Sequence, residues 1–181
     1  RSDPYRAPMS GEIYAEWFSD LFDGLQVSSA SVVGYSFGGW LALQGAIWHP
    51  ERVDKLALMA PGGLAPTRLS YIVKVLFSFL LGETGPQYMQ RVISGGEVMA
   101  ADMERFLTTI ATHFRPRTET LSQPTDNELK GLTMPVMLLG GMDDACISME
   151  RTAQRLKEHV PHAKIALLKN TGHLLINTTP H

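Results

Sequence analysis

Residues 34–39 read Gly-Tyr-Ser-Phe-Gly-Gly and contain a serine in the pattern G-x-S-x-G. A β-prone run at 30–33 precedes this pattern and an apolar run at 39–48 follows it, which predicts a tight turn from a strand into a helix. Such a turn strains the serine backbone, and we expect side chains at positions 34 and 38 to collide with it. The Ser36 hydroxyl would then stand clear of the sheet as a nucleophile, with the Phe37 amide directed to where an oxyanion would develop.

A serine hydroxyl needs a general base, and that base needs an acid to orient it. A predicted strand at 134–140 runs into Asp143 and Asp144, and a predicted strand at 164–168 is followed by His173. The carboxyl ends of parallel strands meet at one edge of a sheet, where catalytic groups collect. The sequence therefore predicts that Ser36, one of the two carboxylates and His173 converge on one rim, in that chain order.

These groups need a sheet to position them, and the chain alternates strands with helices as an α/β fold does. A strand, a helix and a strand within about 30 residues form the βαβ pattern, which implies parallel strands and a right-handed crossover. We expect helices at 11–23, 39–48 and 148–160, with strands at 30–33, 53–59, 135–139 and 164–168. Ser10 is a plausible N-cap for the first helix and Gly24 a plausible left-handed end. Its predicted apolar stripe consists of Tyr14, Trp17, Phe18, Leu21, Phe22 and Leu25.

The segment 64–128 interrupts this alternation and is predominantly helical in its periodicity. One apolar stripe consists of Leu69, Ile72, Val73, Leu76, Phe77 and Leu80, and a second of Val98, Met99, Met103, Phe106, Leu107 and Ile110. We expect the large apolar residues of the segment to pack its helices against the sheet first, and some of them to line a cleft; these are Phe77, Phe79, Met89, Met99, Met103 and Phe106.

Four stretches of the chain together resemble the α/β-hydrolase superfamily, and most nearly its carboxylesterase-like members with a helical cap. They are the serine pattern at 34–39, His-Pro-Glu-Arg-Val at 49–53, Gly-Met-Asp-Asp at 141–144 and Gly-His at 172–173. The acid of that family usually ends a Gly-x-x-Asp turn, so the resemblance selects Asp144 over Asp143. It implies that Ser36 is the nucleophile, Asp144 the orienting acid and His173 the general base.

The resemblance also implies a partial fold. The family's sheet typically has eight strands, and this chain supplies those that resemble the fifth to the eighth. We therefore expect a core at 1–63 and 129–181, a helical cap at 64–128, and a chain that is a fragment or a partly described one. The loop that gives the second oxyanion donor in the family is missing, and strand 30–35 would lie exposed at the edge of the sheet.

Composition and motifs exclude several other classes of protein. The formal charge is −2, from 16 Lys and Arg against 18 Asp and Glu, which lacks the basic excess of a nucleic-acid binder. The lone Cys146 excludes an internal disulfide and reads as a buried small residue. The longest apolar run, 71–81, carries Lys74 and is too short for a membrane span. Without a signal-peptide pattern at 1–10, we expect a cytoplasmic protein.

Metal and cofactor sites are also not predicted. Asp143, Asp144 and Cys146 form the only dense group of potential metal ligands in the sequence, and no histidine lies among them. A dinucleotide-binding loop would need a glycine where Ser36 stands. We expect no cofactor, no metal and a small-molecule partner.

The function that these features predict is hydrolysis of small, fairly apolar carboxylic esters through an acyl-enzyme. We expect Tyr35, Phe77, Met99 and Met103 to contact the substrate. Carbon–carbon bond hydrolases and amidases use the same residue set, so both stay open as alternatives. A non-catalytic, hydrolase-like binding protein or an inactive fragment is the alternative outside the enzymes.

Overall fold

The computed structural model describes residues 7–95, 101–113 and 119–175. Its single sheet contains four parallel strands in the order β1-β2-β3-β4, which are β1 (Ala30–Tyr35), β2 (Val53–Met59), β3 (Val136–Gly141) and β4 (Lys164–Leu168). The predicted α/β class with a parallel sheet is therefore confirmed, and β2 and β4 have the predicted bounds. Chain order equals spatial order, so β1 and β4 form opposite edges of the sheet in the described part of the chain.

Helices occupy the segments between the strands. They are α1 (Gly11–Gly24), α2 (Phe37–Trp48), α3 (Leu69–Leu80), α4 (Gly85–Ser94), α5 (Ala101–His113), α6 (Asp126–Lys130) and α7 (Met149–His159), with short 3-10 turns at Pro50–Arg52 and Gly82–Thr84. Four of these helices, α3 to α6, follow one another between β2 and β3. None of the helices in the described ranges is long and apolar enough to cross a membrane.

The core lies between the sheet and the helices packed on it, among them α1, α2 and α7. Trp40 and Leu43 of α2 have no exposed surface, and Leu58 and Leu138 of the two central strands are equally buried. A Cβ on Gly45 would lie 2.7 Å from the ring of Phe18, so this glycine allows α1 to approach α2 closely. Because α2 is covered on nearly all sides, it can be apolar around its whole circumference.

The end and the stripe of α1 differ from the prediction. Gly24 lies inside the helix and Leu25 is right-handed, while the positive φ of 56° falls on Gln26. The structure buries Phe18 and Phe22 as expected, but leaves 50% of Trp17 and 64% of Leu25 exposed. Because α1 packs against one neighbouring helix, only part of its apolar face is buried. Half of the residues in the predicted stripe are therefore exposed to solvent.

One face of the sheet is apolar but exposed. Val33, Ala57 and Met137 are register partners on adjacent strands, and 67% of Val33 and 44% of Met137 are accessible. Their neighbours Leu56 and Leu138 point to the opposite face and are buried. The helices in the described ranges therefore cover mainly one side of the sheet.

The prediction that the large aromatic residues of 64–128 pack against the sheet is wrong for three of them. Phe77 is 47% exposed, Phe79 70% and Phe106 60%. The residues of α3 and α4 that do contact the core are Tyr71 and Ile93, which belong to neither predicted stripe. Helical periodicity indicates that one side of α3 is apolar, but it does not reveal what lies beside the helix.

Arg155 of α7 joins both ends of the 64–128 segment to the core. Its guanidinium donates to the carbonyl of Leu64 at 3.0 Å and to the carbonyl of Pro124 at 2.5 Å, and it pairs with Asp126 at 2.9 Å. Capping of α6 by Thr125 and Glu128 fixes the second end further. The two ends of the segment are thus held beside one another on α7.

Candidate active site

Ser36 occupies a strained turn between β1 and α2. Its backbone has φ 52° and ψ −114°, a region that costs a residue with a side chain about 1–3 kcal/mol. Neighbouring backbone groups hold it there. The Ser36 amide donates to the Met59 carbonyl at 2.8 Å, and its carbonyl accepts from the amides of Trp40 and Gly62 at 3.2 Å. The turn lifts the hydroxyl away from the sheet, as its sequence predicts.

Two glycines make this turn possible, but they are not both the expected ones. A Cβ on Gly34 would lie 2.3 Å from the Gly38 carbonyl oxygen and 2.7 Å from the Gly39 Cα, so the prediction for position 34 is confirmed. A Cβ on Gly38 would meet nothing within 4 Å, so the collision predicted for position 38 is wrong. The second crowded position is Gly39, whose Cβ would lie 2.9 Å from the Pro61 side chain.

The structure brings Ser36, His173 and Asp144 into one hydrogen-bonded chain. Ser36 Oγ lies 2.9 Å from His173 Nε2, and His173 Nδ1 lies 2.7 Å from Asp144 Oδ2. His173 is 8% exposed and Asp144 1%. A carboxylate beside Nδ1 favours the imidazole tautomer that carries its proton on Nδ1. Nε2 is then free to accept the serine proton.

Each of these side chains follows the carboxyl end of a strand. Ser36 comes directly after β1, Asp144 shortly after β3 and His173 shortly after β4. The three loops therefore meet at the carboxyl end of the sheet, where catalytic groups of such sheets collect.

Asp144 is fixed by contacts through both of its oxygens. While Oδ2 faces His173, Oδ1 accepts the amides of Cys146 and Ile147 at 2.7 and 2.9 Å. Asp143 is exposed instead, and its amide donates to the Thr171 carbonyl at 3.0 Å. Of the two carboxylates that the sequence brings to this edge, Asp144 is the one in contact with the imidazole.

The loops that carry the acid and the histidine lie backbone against backbone. A Cβ on Gly141 would lie 2.2 Å from the Thr171 carbonyl oxygen, so only glycine fits there. On the other side of the histidine loop, a Cβ on Gly172 would lie 3.2 Å from the backbone of Ser94 at the end of α4. The histidine loop is therefore held between the acid loop and the 64–128 segment.

Aromatic side chains surround the start of α2. The Phe37 ring is 40% exposed and stacks on Trp40 at 5.6 Å, and Tyr14 of α1 meets both rings edge-on. As the first residue of α2, Phe37 has a backbone amide without an intrahelical acceptor. This amide lies at the positive end of the helix, beside the serine.

The predicted substrate contacts are spread over different parts of the structure. The Tyr35 hydroxyl donates to the His173 carbonyl at 2.7 Å. Phe77 lies on α3 with its ring edge-on to Tyr88 at 5.5 Å, and Met103 is half-buried on α5. Met99 lies outside the described residues.

A contact between the 64–128 segment and the acid loop is not predictable from the residue pattern. Tyr71 of α3 lies beside Cys146 of the acid loop, and burial raises the pKa of its phenol well above the usual range. Next to it, Arg68 pairs with Glu150 at 3.1 Å and donates to the Ile147 carbonyl at 3.3 Å. Tyr71 falls outside the apolar stripe of α3, so periodicity contains no signal for it.

Cys146 is buried as predicted, at 8% exposure. Burial, with the nearby charge of Asp144, raises the pKa of its thiol to about 12. The thiol therefore stays protonated at neutral pH and is a poor nucleophile.

Folding adds a histidine to the potential metal ligands, because Asp144, Cys146 and His173 offer ligand atoms within 4.8 Å of one another. Their geometry does not fit a zinc ion. Ligand atoms of tetrahedral zinc lie about 3.3 Å apart or more, given bonds of about 2.0 Å, whereas the carboxylate and imidazole are 2.7 Å apart. The protonated thiol is also a poor ligand.

Comparisons with known proteins agree with the architecture. The chain is 29% identical over 189 residues to carboxylesterase YbfK of Bacillus subtilis, covering 97% of this chain and 62% of that protein. The crystal structure of carboxylesterase CesB (YbfK) from the same organism superposes with a TM-score of 0.83 at 23% identity, covering 98% of this chain and 65% of that one. A shorter match, 39% identical over 62 residues, is to 2-hydroxymuconate semialdehyde hydrolase of a Pseudomonas species, covering 34% of this chain and 22% of that protein.

The chain is therefore similar to curated hydrolases over nearly all of its own length, but spans only about 62% of YbfK. The sequence model of the alpha/beta hydrolase family matches residues 2–181. With the serine turn, the parallel sheet and this match in agreement, the chain belongs to the alpha/beta hydrolase family.

Proposed function

We propose that the protein is a serine hydrolase that cleaves small, fairly apolar carboxylic esters through an acyl-enzyme. The observation that carries this proposal is the continuous contact from Ser36 Oγ to His173 Nε2 at 2.9 Å and from His173 Nδ1 to Asp144 Oδ2 at 2.7 Å. A serine is activated by such a base only when the imidazole is held in the right tautomer, and the buried Asp144 does this. Similarity to carboxylesterase YbfK supports the ester as the substrate class.

In the first half of the reaction, Ser36 Oγ attacks the ester carbonyl while His173 Nε2 takes the serine proton. Asp144 stabilises the imidazolium that forms, and the Phe37 amide donates to the oxyanion. The tetrahedral intermediate collapses when His173 returns the proton to the leaving alcohol, which departs and leaves an acyl group on Ser36. Water then attacks the acyl-enzyme with His173 again as base, releasing the acid and restoring the serine.

We also propose that residues 64–128 act as a cap over a core formed by 1–63 and 129–181. Arg155 holds both ends of the segment together, and α4 packs against the histidine loop at Gly172. The apolar surface that α3 and α5 expose supports a preference for apolar substrates, with Phe77 and Met103 as cap residues that contact them. A cytoplasmic location stays a prediction from the sequence.

A carbon–carbon bond hydrolase is the second candidate. The local match to 2-hydroxymuconate semialdehyde hydrolase favours it, because the substrate in that name contains no ester to cleave. The same three side chains would activate the serine or a water molecule for this reaction. Comparing turnover of p-nitrophenyl butyrate with turnover of a vinylogous 1,5-diketone separates the candidates.

The proposal is tested with a fluorophosphonate probe, which reacts with activated serines. We expect an adduct on the full natural protein, mapped to Ser36 by peptide sequencing, and no adduct on Ser36→Ala at equal folded concentration. Equal labelling of wild type and Ser36→Ala would contradict the mechanism.

A further inference from the structure

We propose that Tyr35 is a positioning residue, whose hydroxyl holds the backbone of His173 so that the imidazole stays in contact with Ser36. The inference rests on the proposed hydrolase function and assigns a role to a residue that sequence reasoning places in the substrate site. Tyr35 touches no reacting atom in this role; it acts through the histidine loop.

The contact is direct and short. The Tyr35 hydroxyl donates to the His173 carbonyl oxygen at 2.7 Å, and the same oxygen accepts the Leu175 amide at 3.0 Å. The Tyr35 ring also lies against the imidazole, with centroids 5.6 Å apart and planes inclined by 36°. One side chain therefore fixes both the backbone and the ring of His173.

The topology of the sheet explains why such a contact is needed. Ser36 follows β1 and His173 follows β4, which are opposite edges of the described sheet. Three strand spacings of about 4.8 Å separate those edges, so in the described sheet no hydrogen-bond ladder joins β1 and β4 directly. Tyr35 is the last residue of β1 and the neighbour of Ser36, and its hydroxyl reaches the histidine loop. It joins the nucleophile and the base without involving β2 and β3.

The hydroxyl is suited to this structural bond. Burial, together with the charge of Asp144, raises the pKa of Tyr35 to about 12. The phenol therefore stays protonated and can donate this hydrogen bond throughout the pH range in which a histidine base works. With the donor committed to His173, a hydrogen bond from this hydroxyl to a substrate would have to break the 2.7 Å contact.

The test compares Tyr35→Phe with Tyr88→Phe in the full natural protein. Tyr35→Phe removes only the donor, and Tyr88→Phe removes a phenol hydroxyl from α4, where the ring packs on Phe77. For each we measure kcat and KM with p-nitrophenyl butyrate and the second-order rate of fluorophosphonate labelling. Rates are normalised to titrated active sites, so that loss of folded protein does not count as loss of catalysis.

We expect Tyr35→Phe to lower both kcat and the labelling rate about tenfold or more, because a displacement of about 1 Å at a base costs up to about a hundredfold. KM should stay within about twofold and Tyr88→Phe should resemble wild type. Replacing Tyr35 with 4-aminophenylalanine retains a donor at the same position, and we expect it to recover most of the lost rate.

Two outcomes overturn the proposal. Unchanged kcat and labelling in Tyr35→Phe would show that the hydroxyl does not position the base, and a raised KM at unchanged kcat would assign Tyr35 to substrate binding instead. Failure of the proposed function gives a different result, since wild type and Tyr35→Phe would then both lack the adduct on Ser36.

Discussion

Replacing Asp144 with asparagine tests the proposed catalytic chain with almost no change of shape. Asparagine keeps one oxygen that can accept the amides of Cys146 and Ile147, which Oδ1 now accepts at 2.7 and 2.9 Å. Its amide nitrogen then takes the place of Oδ2, 2.7 Å from His173 Nδ1. Because that nitrogen donates, the imidazole must accept at Nδ1 and carry its proton at Nε2. Nε2 would donate to Ser36 Oγ and could no longer take the serine proton.

Two energies set the size of the effect. The imidazolium loses a charge-assisted hydrogen bond to Asp144, which contributes about 1.5–3 kcal/mol. Regaining the productive tautomer leaves a buried amide unpaired, at a further cost of about 1–3 kcal/mol. Their sum of about 2.5–6 kcal/mol corresponds to a loss of about 10²–10⁴ in kcat, at about 1.4 kcal/mol per factor of ten.

The assay measures kcat for p-nitrophenyl butyrate and the free energy of unfolding by urea denaturation. Asp143→Asn is the matched control, because it makes the same chemical change at the adjacent, exposed carboxylate. Asp144→Ala is the second comparison, because it leaves the buried amides of Cys146 and Ile147 without a hydrogen-bond acceptor. Each unpaired amide should destabilise the fold by about 1–3 kcal/mol. We expect Asp144→Asn to lose activity but little stability, and Asp143→Asn to lose neither.

The reasoning is refuted if Asp144→Asn keeps kcat within about threefold of wild type, a difference below 1 kcal/mol. It is also refuted if Asp143→Asn is impaired as strongly as Asp144→Asn, because Asp143 does not contact the imidazole. A loss of activity in Asp144→Asn that follows its loss of folded protein would assign the residue a structural role only.

Two further predictions concern stability. Gly34→Ala should lower the free energy of unfolding by about 3 kcal/mol, because its Cβ would lie 2.3 Å from a backbone oxygen. Gly38→Ala, with open space at its Cβ, should stay within about 1 kcal/mol of wild type; equal destabilisation in urea melts would contradict the account of the turn. The raised pKa of the Cys146 thiol, about 12 against 9.0, means that the unfolded chain releases this proton first, so stability should fall as pH rises from about 9 to 12. Cys146→Ala should reduce the slope of unfolding free energy against pH by up to about 1.4 kcal/mol per pH unit. If the variant keeps the wild-type slope, the thiol does not cause this pH dependence.

Local residue patterns were sufficient for the elements that carry the site. β2 and β4 have the predicted bounds because apolar β-prone runs are closed by Pro, Gly or Asn at their ends. The serine turn is also a local feature, since crowding at Gly34 comes from Gly38 and Gly39, only a few residues away. Because the predicted strands are parallel, Ser36 and His173 are then expected at the same carboxyl end of the sheet.

Other features depend on contacts between distant segments. Sequence spacing alone does not distinguish Asp143 from Asp144. In the structure they differ because the Asp144 side chain is buried against two amides and the imidazole, whereas Asp143 is exposed. Periodicity predicts the apolar stripe of α3, but Phe77 of that stripe is exposed and Tyr71 is the α3 residue that contacts the core.

The α/β class, the serine turn and the end of the sheet at which the polar groups meet are all predictable from residue patterns, because propensity, chain order and strand direction act over short distances. Packing between distant segments sets which carboxylate meets the histidine, which face of each helix is buried and that Tyr35 reaches the His173 carbonyl. Those outcomes depend on how loops from opposite edges of the sheet pack together, and such packing joins residues more than a hundred positions apart, as Tyr35 and His173 are.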